Sequence, residues 1–391
     1  MIEAKRPIFF LAPFSPIGSS DVPFLGGANK ISALVRVLAR SGRQIWLVNS
    51  AHNRQEFRRG RVGRLSLGAR RPIIHVEPFT VRLRPVGKFL NLFSVRELAK
   101  RLARENPFLV WLYNGYAFDA LLASELHERT GCKVVLEIED LHTARSRGLN
   151  PKPLIDDWYL RRRVLPITSL AACVNEEVCK LIRSSGLPTV LLPGILAPEL
   201  SDTPENTPPF SKPPYTLGYF GGLYSEKGVE VLLKLCEELP NDWRMVITGV
   251  GPLANACARI ARSNSRLSFF HALPQEQVIG LMTKCDVIAN PHKPIAAMKN
   301  GIFPFKVFEA LAAARVLIST PLPQSGVNLG AVMWFDGSAK DLKRRLCEAR
   351  DFYFHQRLLI ERTADWIRER FSENGVSDTL NDLIPSLDSG S

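Results

Sequence analysis

Two glycine-rich turns in the second half of the chain have the residue types that can hold a phosphate group. The first turn lies between a strand and a helix start, and Gly221 and Gly222 let its backbone approach a ligand closely. Lys227 adds a positive charge at the same place. The second turn has Gly249 and Gly251 in the Gly-x-Gly spacing of nucleotide-binding turns, a spacing that bare tight turns also have. Together they predict a site for an anion.

A third junction between a strand and a helix carries a lysine and a carboxylate. Asn290 ends an apolar run, and Pro304 stands where a helix would begin, since its missing N–H costs nothing there. Lys306 and Glu309 then lie on one face of the first helical turn. As an exposed ion pair they would contribute less than about 1 kcal/mol. At a strand-end crevice, the carboxylate could instead accept hydrogen bonds from ribose hydroxyls, and the lysine could neutralise a diphosphate.

The elements that would position these residues form two series of alternating strands and helices. The alternation runs from residue 7 to residue 137 and restarts at residue 216, after a segment rich in proline, threonine and serine. Short apolar strands bounded by helices predict parallel sheets covered on both faces. The predicted fold class is α/β, with two doubly wound Rossmann-like domains facing across a cleft and ligands outside the carboxyl ends of the strands. The predicted boundaries are 1–198 for the first domain, 199–214 for the linker, 215–365 for the second domain and 366–391 for a helical tail that could cross back to the first domain.

The net charge of +13 lies entirely in the first half of the chain. Residues 1–200 hold 30 Lys and Arg against 17 Asp and Glu, whereas the remaining residues hold 21 of each kind. The densest basic stretch, Arg54 to Arg71, favours an anionic partner, although a solvated face without a partner would have the same composition. Phe57 is its only aromatic residue and no nucleic-acid recognition motif is found. We therefore expect no nucleic acid, and an anionic membrane surface is the partner predicted for this stretch.

No targeting or membrane-spanning segment is recognised in the sequence. The longest apolar run near the N-terminus, Ile8 to Phe14, is interrupted by Pro13 and is shorter than a secretory signal or a span of about 20 residues. We expect a cytoplasmic protein, or one peripheral on the inner face of the cell membrane. The seven cysteines are scattered without a Cys-x-x-Cys pair, so most are expected to be small core residues and no disulfide framework or metal site is predicted.

Taken in order, the motifs of residues 216–320 resemble the donor domain of the retaining GT-B glycosyltransferases (family 4, group 1 type). They are Gly-Gly-Leu-x-x-x-Lys-Gly, Gly-x-Gly-Pro-Leu, Cys-Asp-Val-x-x-Asn-Pro and Phe-Pro-Phe-Lys-x-Phe-Glu-Ala-Leu-Ala. The last is similar to the Pro-x-Lys-x-x-Glu signature of bacterial surface-polysaccharide members. In the first half, residues 24–28 (Phe-Leu-Gly-Gly-Ala) resemble the glycine loop after the first strand, and residues 134–141 resemble the strand end that faces the transferred sugar.

This resemblance implies a transferase that moves a sugar from a UDP- or GDP-linked donor to a saccharide or lipid-linked acceptor with retention, in polysaccharide or glycoconjugate biosynthesis. It implies no cofactor or metal, and the chain has no metal-chelating Asp-x-Asp pair. By position, Lys227 would bind the diphosphate, Glu309 the ribose hydroxyls, and Lys306 the phosphates or sugar. Glu139 and Asp140 are the candidates for catalytic contact with the sugar. The donor-binding residues implied are Gly26, Gly27, Gly221, Gly222, Lys227, Gly249, Gly251, Asn290, Pro304, Phe305, Lys306 and Glu309.

Four positions depart from the family pattern. Gly222 replaces an arginine, Gly301 a glutamate and Ala314 a glycine, and Glu139-Asp140 stands where many members have His-Asp. The first three departures keep open a catalytically degenerate relative that acts as a binding protein. Another GT-B enzyme, a nucleotide-sugar epimerase or an inverting transferase, is the second alternative.

Overall fold

The computed structural model describes residues 5–14, 25–50, 60–78, 87–139, 152–201, 208–293, 303–322, 329 and 331–388. The chain forms two compact units, and both are α/β as predicted. The first comprises Met1–Ile195, Lys299–Phe303 and Glu373–Ser391, and the second comprises Leu196–Met298 and Pro304–Ser372. The helical tail is therefore divided between the two units at residue 372.

In the described part of the chain, the first unit is built on a sheet of eight strands in the order β3-β4-β2-β1-β5-β6-β7-β8. Neighbouring strands are parallel except for β3, which is antiparallel to β4 at the edge and departs from the parallel pattern predicted. All residues of the central strands β1 and β5 are buried, which explains their uninterrupted apolar runs. The strands are β1 (Ile8–Ala12), β2 (Ile45–Asn49), β3 (Arg61–Leu65), β4 (Ile73–Glu77), β5 (Leu109–Tyr113), β6 (Lys133–Ile138), β7 (Thr168–Cys173) and β8 (Thr189–Leu191).

The described residues of the second unit form six parallel strands in the order β11-β10-β9-β12-β13-β14. The strands are β9 (Tyr215–Phe220), β10 (Trp243–Gly249), β11 (Leu267–His271), β12 (Val287–Asn290), β13 (Val316–Ser319) and β14 (Val332–Trp334). The first strand of the unit, β9, lies between the second and the fourth, so the order reverses between β9 and β12. Such a topological switch point is where open α/β sheets form a crevice for ligands.

Helices connect the strands in both units. Those of the first unit are α1 (Leu25–Ala39), α2 (Gly87–Leu102), α3 (Ala117–Thr130), α4 (Lys152–Tyr159) and α5 (Glu176–Arg183). Those of the second are α6 (Pro198–Ser201), α7 (Val229–Leu235), α8 (Ala254–Ser263), α9 (Gln275–Met282), α10 (Lys306–Ala312) and α11 (Ala339–Phe371). The last helix, α12 (Glu373–Asp388), returns to the first unit, where Glu373 pairs with Arg36 of α1 (Oε1 to Nε, 2.6 Å).

Helix α10 ends in a Schellman motif in which the left-handed residue is an alanine. The amide of Arg315 donates to the carbonyl of Ala310 (3.3 Å), and that of Ala314 donates to Leu311 (2.9 Å). Ala314 has a φ of 54°, a conformation that glycine adopts without strain. The departure from the family glycine at this position therefore strains the backbone.

No helix among the described residues is both long and apolar enough to cross a bilayer. Six of the seven cysteines are buried, as expected for small core residues.

Candidate functional site

The two predicted glycine turns pack directly on each other at the carboxyl ends of β9 and β10. A Cβ on Gly249 would lie 1.8 Å from the carbonyl oxygen of Gly221, and one on Gly251 would lie 2.5 Å from that of Leu223. Side chains at either position would therefore separate the turns. Gly249 and Gly251 are therefore needed for the two turns to pack on each other. This packing fixes the position of Gly221 and Gly222 beside the switch point.

Lys227 lies on a 3₁₀ turn that is attached to the chain after β12. The turn comprises Ser225–Lys227 and ends at Gly228, whose φ is 72°. A Cβ on Gly228 would lie 1.8 Å from the carbonyl oxygen of Pro291, so only glycine allows this contact. The amide of Lys293 also donates to the carbonyl of Glu226 (3.0 Å). The two sides of the switch point are thus joined through their backbones.

His292, which no sequence pattern singled out, lies beside Lys227. Its Nε2 is 2.9 Å from Lys227 Nζ, and its side chain is only 1% exposed. Burial and the neighbouring Lys227 lower the pKa of His292 to about 4, so the imidazole is neutral at physiological pH. A signal was present in the sequence, because His292 comes two residues after the end of an apolar strand, where ligand-binding residues of α/β sheets lie.

Lys306 and Glu309 lie in the first turn of α10, both partly buried. Lys306 Nζ is 4.2 Å from the centre of the Tyr219 ring, a cation–π contact, and a Cβ on Gly221 would lie 3.9 Å from the same Nζ. Burial, with Lys227 nearby, lowers the pKa of Lys306 to about 7, while burial raises that of Glu309 to about 7. The alternative of an exposed surface ion pair is therefore wrong.

Asn290 ends β12 with its side chain buried. Its Nδ2 donates to Ser319 Oγ (2.9 Å), while its Oδ1 has no hydrogen-bond partner in the described part of the chain. Pro304 is buried, and the Phe305 ring lies 5.8 Å from that of Phe308 (centroid to centroid), at the start of α10. Pro304 and Phe305 thus lie at the start of α10, and the Asn290 oxygen is an acceptor that a ligand hydroxyl could satisfy.

The switch point of the second unit therefore combines positive charge with hydrogen-bond acceptors. Lys227 and Lys306 can stabilise an anion, whereas the Glu309 carboxylate and the Asn290 oxygen can accept from hydroxyl groups. A phosphorylated sugar or a nucleotide has both kinds of group. This geometry fits a nucleoside diphosphate better than a simple anion.

In the first unit, Gly26 and Gly27 lie in the first turn of α1. Glu139, directly after β6, is held by two neighbouring side chains. The Lys30 ammonium contacts one carboxylate oxygen, and the Tyr113 hydroxyl donates to the other (3.1 Å). Lys30 Nζ also lies 2.9 Å from Glu137 Oε1. Lys30, Glu137 and Glu139 thus form a buried cluster that the sequence did not reveal. Asp140, Gly301 and residues 54–59 lie outside the described residues.

Among the described residues, no group of three or more His, Cys, Asp or Glu side chains is arranged to hold a metal ion.

Comparison with known proteins agrees with this geometry. Residues 214–348 match the family of glycosyl transferases group 1. No curated protein matches the chain by sequence.

Several solved structures have the same fold over nearly the whole chain. Sucrose-phosphate synthase from Thermosynechococcus elongatus superposes with a TM-score of 0.69 at 13% identity, covering 99% of this chain and 100% of that one. WaaG, a glycosyltransferase involved in lipopolysaccharide biosynthesis, has a TM-score of 0.66 at 14% identity, with 98% and 100% covered. HepE of Anabaena in complex with UDP has a TM-score of 0.64 at 12% identity, with 97% and 100% covered. Residues 214–348 thus match the group 1 glycosyl transferase family, and the chain has the GT-B fold of these solved glycosyltransferases.

Proposed function

We propose that this protein is a glycosyltransferase that moves a sugar from a nucleoside-diphosphate sugar to a saccharide or lipid-linked acceptor, with retention and without a metal ion. The observation that carries the proposal is the β9–β12 switch point, where Lys227 and Lys306 lie beside the acceptors Glu309 and Asn290. The complexes of HepE with UDP and with UDP-glucose support a nucleotide-sugar donor.

The proposed chemistry follows from the charge that develops as the donor bond breaks. A departing nucleoside diphosphate gains negative charge, and ammonium groups that are already in place stabilise it in the transition state. Glu309 accepts from the ribose hydroxyls and so fixes the donor relative to the lysines. In same-face attack the departing phosphate takes the acceptor proton, so retention needs no separate base.

Thermal unfolding of the wild type and of Glu309→Ala, with UDP, GDP, ADP and their sugars, tests the donor site. A ligand at about 100 times its dissociation constant stabilises the native state by roughly 2.7 kcal/mol. We expect one nucleotide to stabilise the wild type and to stabilise Glu309→Ala much less. Stabilisation of neither protein by any nucleotide would favour a degenerate relative and refute the proposal.

Product analysis tests the finer claims once a donor is identified. The anomeric proton of the transferred sugar, read by NMR at early times, should have the configuration of the donor. Activity should persist in excess EDTA. An inverted product, or loss of activity that Mg²⁺ or Mn²⁺ restores, would contradict retention or metal independence, respectively.

A lipid-linked acceptor is supported by the exposed basic residues of the first unit. Arg61, Arg64, Arg70 and Arg71 are all exposed, and WaaG acts in lipopolysaccharide biosynthesis. Flotation with vesicles containing anionic lipid should carry the protein upward at low salt and release it at high salt. Equal flotation with neutral vesicles would remove this argument.

A further inference from the structure

The half-buried Lys227 and the buried His292 form a pair that joins the two sides of the switch point. The two residues are 65 positions apart in the sequence, and Lys227 Nζ lies 2.9 Å from His292 Nε2.

The tautomer of His292 follows from its second ring nitrogen. Nδ1 lies 3.0 Å from the carbonyl oxygen of Lys293, and a carbonyl can only accept, so Nδ1 carries the proton. Nε2 of the neutral ring is then an acceptor, and the Lys227 ammonium donates to it. The lowered pKa of His292 agrees with this assignment.

Both partners are fixed by backbone contacts. Gly228 packs against the carbonyl of Pro291, and the amide of Lys293 donates to Glu226 (3.0 Å). Thr320 Oγ1 donates to the carbonyl oxygen of His292 (2.5 Å). The imidazole is therefore held where it can orient the lysine.

A neutral acceptor suits an anion site for an electrostatic reason. Lys306 lies close enough to Lys227 to lower its own pKa, so repulsion favours turning Lys227 outward. A carboxylate partner would hold Lys227 but would also neutralise the charge that an incoming diphosphate needs. A neutral imidazole supplies a hydrogen bond without itself neutralising the ammonium charge.

We propose that His292 is a positioning residue that acts through Lys227, holding its ammonium group in the crevice for the diphosphate of the donor. The proposal rests on the donor site proposed above and adds to it a residue outside the family signature.

Calorimetric titration of the wild type with UDP, GDP and ADP identifies the nucleotide that binds most tightly, which is then used for every variant. His292→Phe keeps the ring shape without an acceptor and should weaken binding about tenfold or more, the factor expected for one hydrogen bond to a charged group. His292→Gln keeps an acceptor and should bind within about threefold of the wild type. His355→Phe, an exposed histidine of α11, is the matched control and should bind like the wild type.

A double-mutant cycle separates positioning from a general structural role. If His292 acts through Lys227, His292→Phe should cause almost no further loss in a Lys227→Met background. The same loss in both backgrounds, or wild-type affinity of His292→Phe, would overturn the inference while leaving the donor site standing. Failure of the wild type to bind any of the three nucleotides would refute the donor site and this role together.

Discussion

Replacing Lys30 with methionine tests whether the buried cluster of the first unit depends on the Lys30 ammonium group. Lys30 is 9% exposed, lies 2.9 Å from Glu137 Oε1 and also contacts Glu139. Burial opposes the charge on Lys30, but the two carboxylates outweigh it and raise the lysine pKa. Glu137 is 1% exposed, and its other oxygen accepts from Trp111 Nε1 (2.8 Å). Lys30→Met would leave this carboxylate buried without its cation.

The expected cost is large compared with that of a surface pair. Removing one partner of a buried ion pair typically costs about 3–5 kcal/mol, a large part of a total stability of roughly 5–15 kcal/mol. Arg344, whose side chain is 57% exposed and which pairs with Asp341, provides the control. Arg344→Met should destabilise the protein far less, because solvent screens an exposed ion pair.

The stability lost in Lys30→Met should depend on pH, and the sign follows from the pKa of Glu137. Burial, only partly offset by Lys30, raises the pKa of Glu137 above that of an unfolded glutamate. A carboxyl group with a raised folded-state pKa stabilises the protein below its unfolded pKa, and that contribution is lost as the pH rises through the folded pKa. Removing Lys30 raises the pKa further, so the loss of stability should be largest near pH 8 and should shrink towards pH 5.

Urea unfolding at pH 8 and pH 5, followed by circular dichroism, measures both effects. The double variant Lys30→Met/Glu137→Gln should recover much of the stability lost at pH 8, because it removes the uncompensated charge. A loss of less than about 1 kcal/mol at pH 8, or a loss that grows as the pH falls, would refute the reasoning.

Three further predictions concern the second unit. The pKa of Lys306, lowered to about 7, should rise when a diphosphate binds. Calorimetric titration at pH 8 in buffers of different ionisation enthalpy should therefore show proton uptake, which Lys306→Met should abolish. Proton release on binding would contradict this prediction. Ala314→Gly should raise the unfolding free energy by about 0.5–1 kcal/mol, since relief of left-handed strain exceeds the added entropy of the unfolded chain, and an unchanged urea midpoint would count against it. Gly249→Ala should destabilise the second unit by more than about 2 kcal/mol in urea unfolding, because the alanine Cβ would lie 1.8 Å from the Gly221 oxygen. A variant as stable as the wild type would show that the two turns can separate freely.

The sequence predicted the α/β class and most central strands because buried parallel strands are short apolar runs between helices. It was less informative at the sheet edges. The antiparallel strand β3 (Arg61–Leu65) has an exposed pattern with little apolar periodicity, so nothing marked it as a strand. Edge strands are specified by pairing with a neighbour, which local sequence does not encode.

For the candidate site, local sequence determined the glycine turns, the start of α10 and the spacing of Lys306 and Glu309. These features depend on allowed backbone angles and helical periodicity, both of which act over a few residues. Only the tertiary structure placed β9 beside β12, brought Lys227 to His292 across 65 residues, and buried Lys306 and Glu309 enough to shift their pKa values. Strand order and burial arise from packing of distant segments, and the electrostatics of the site follow from that packing.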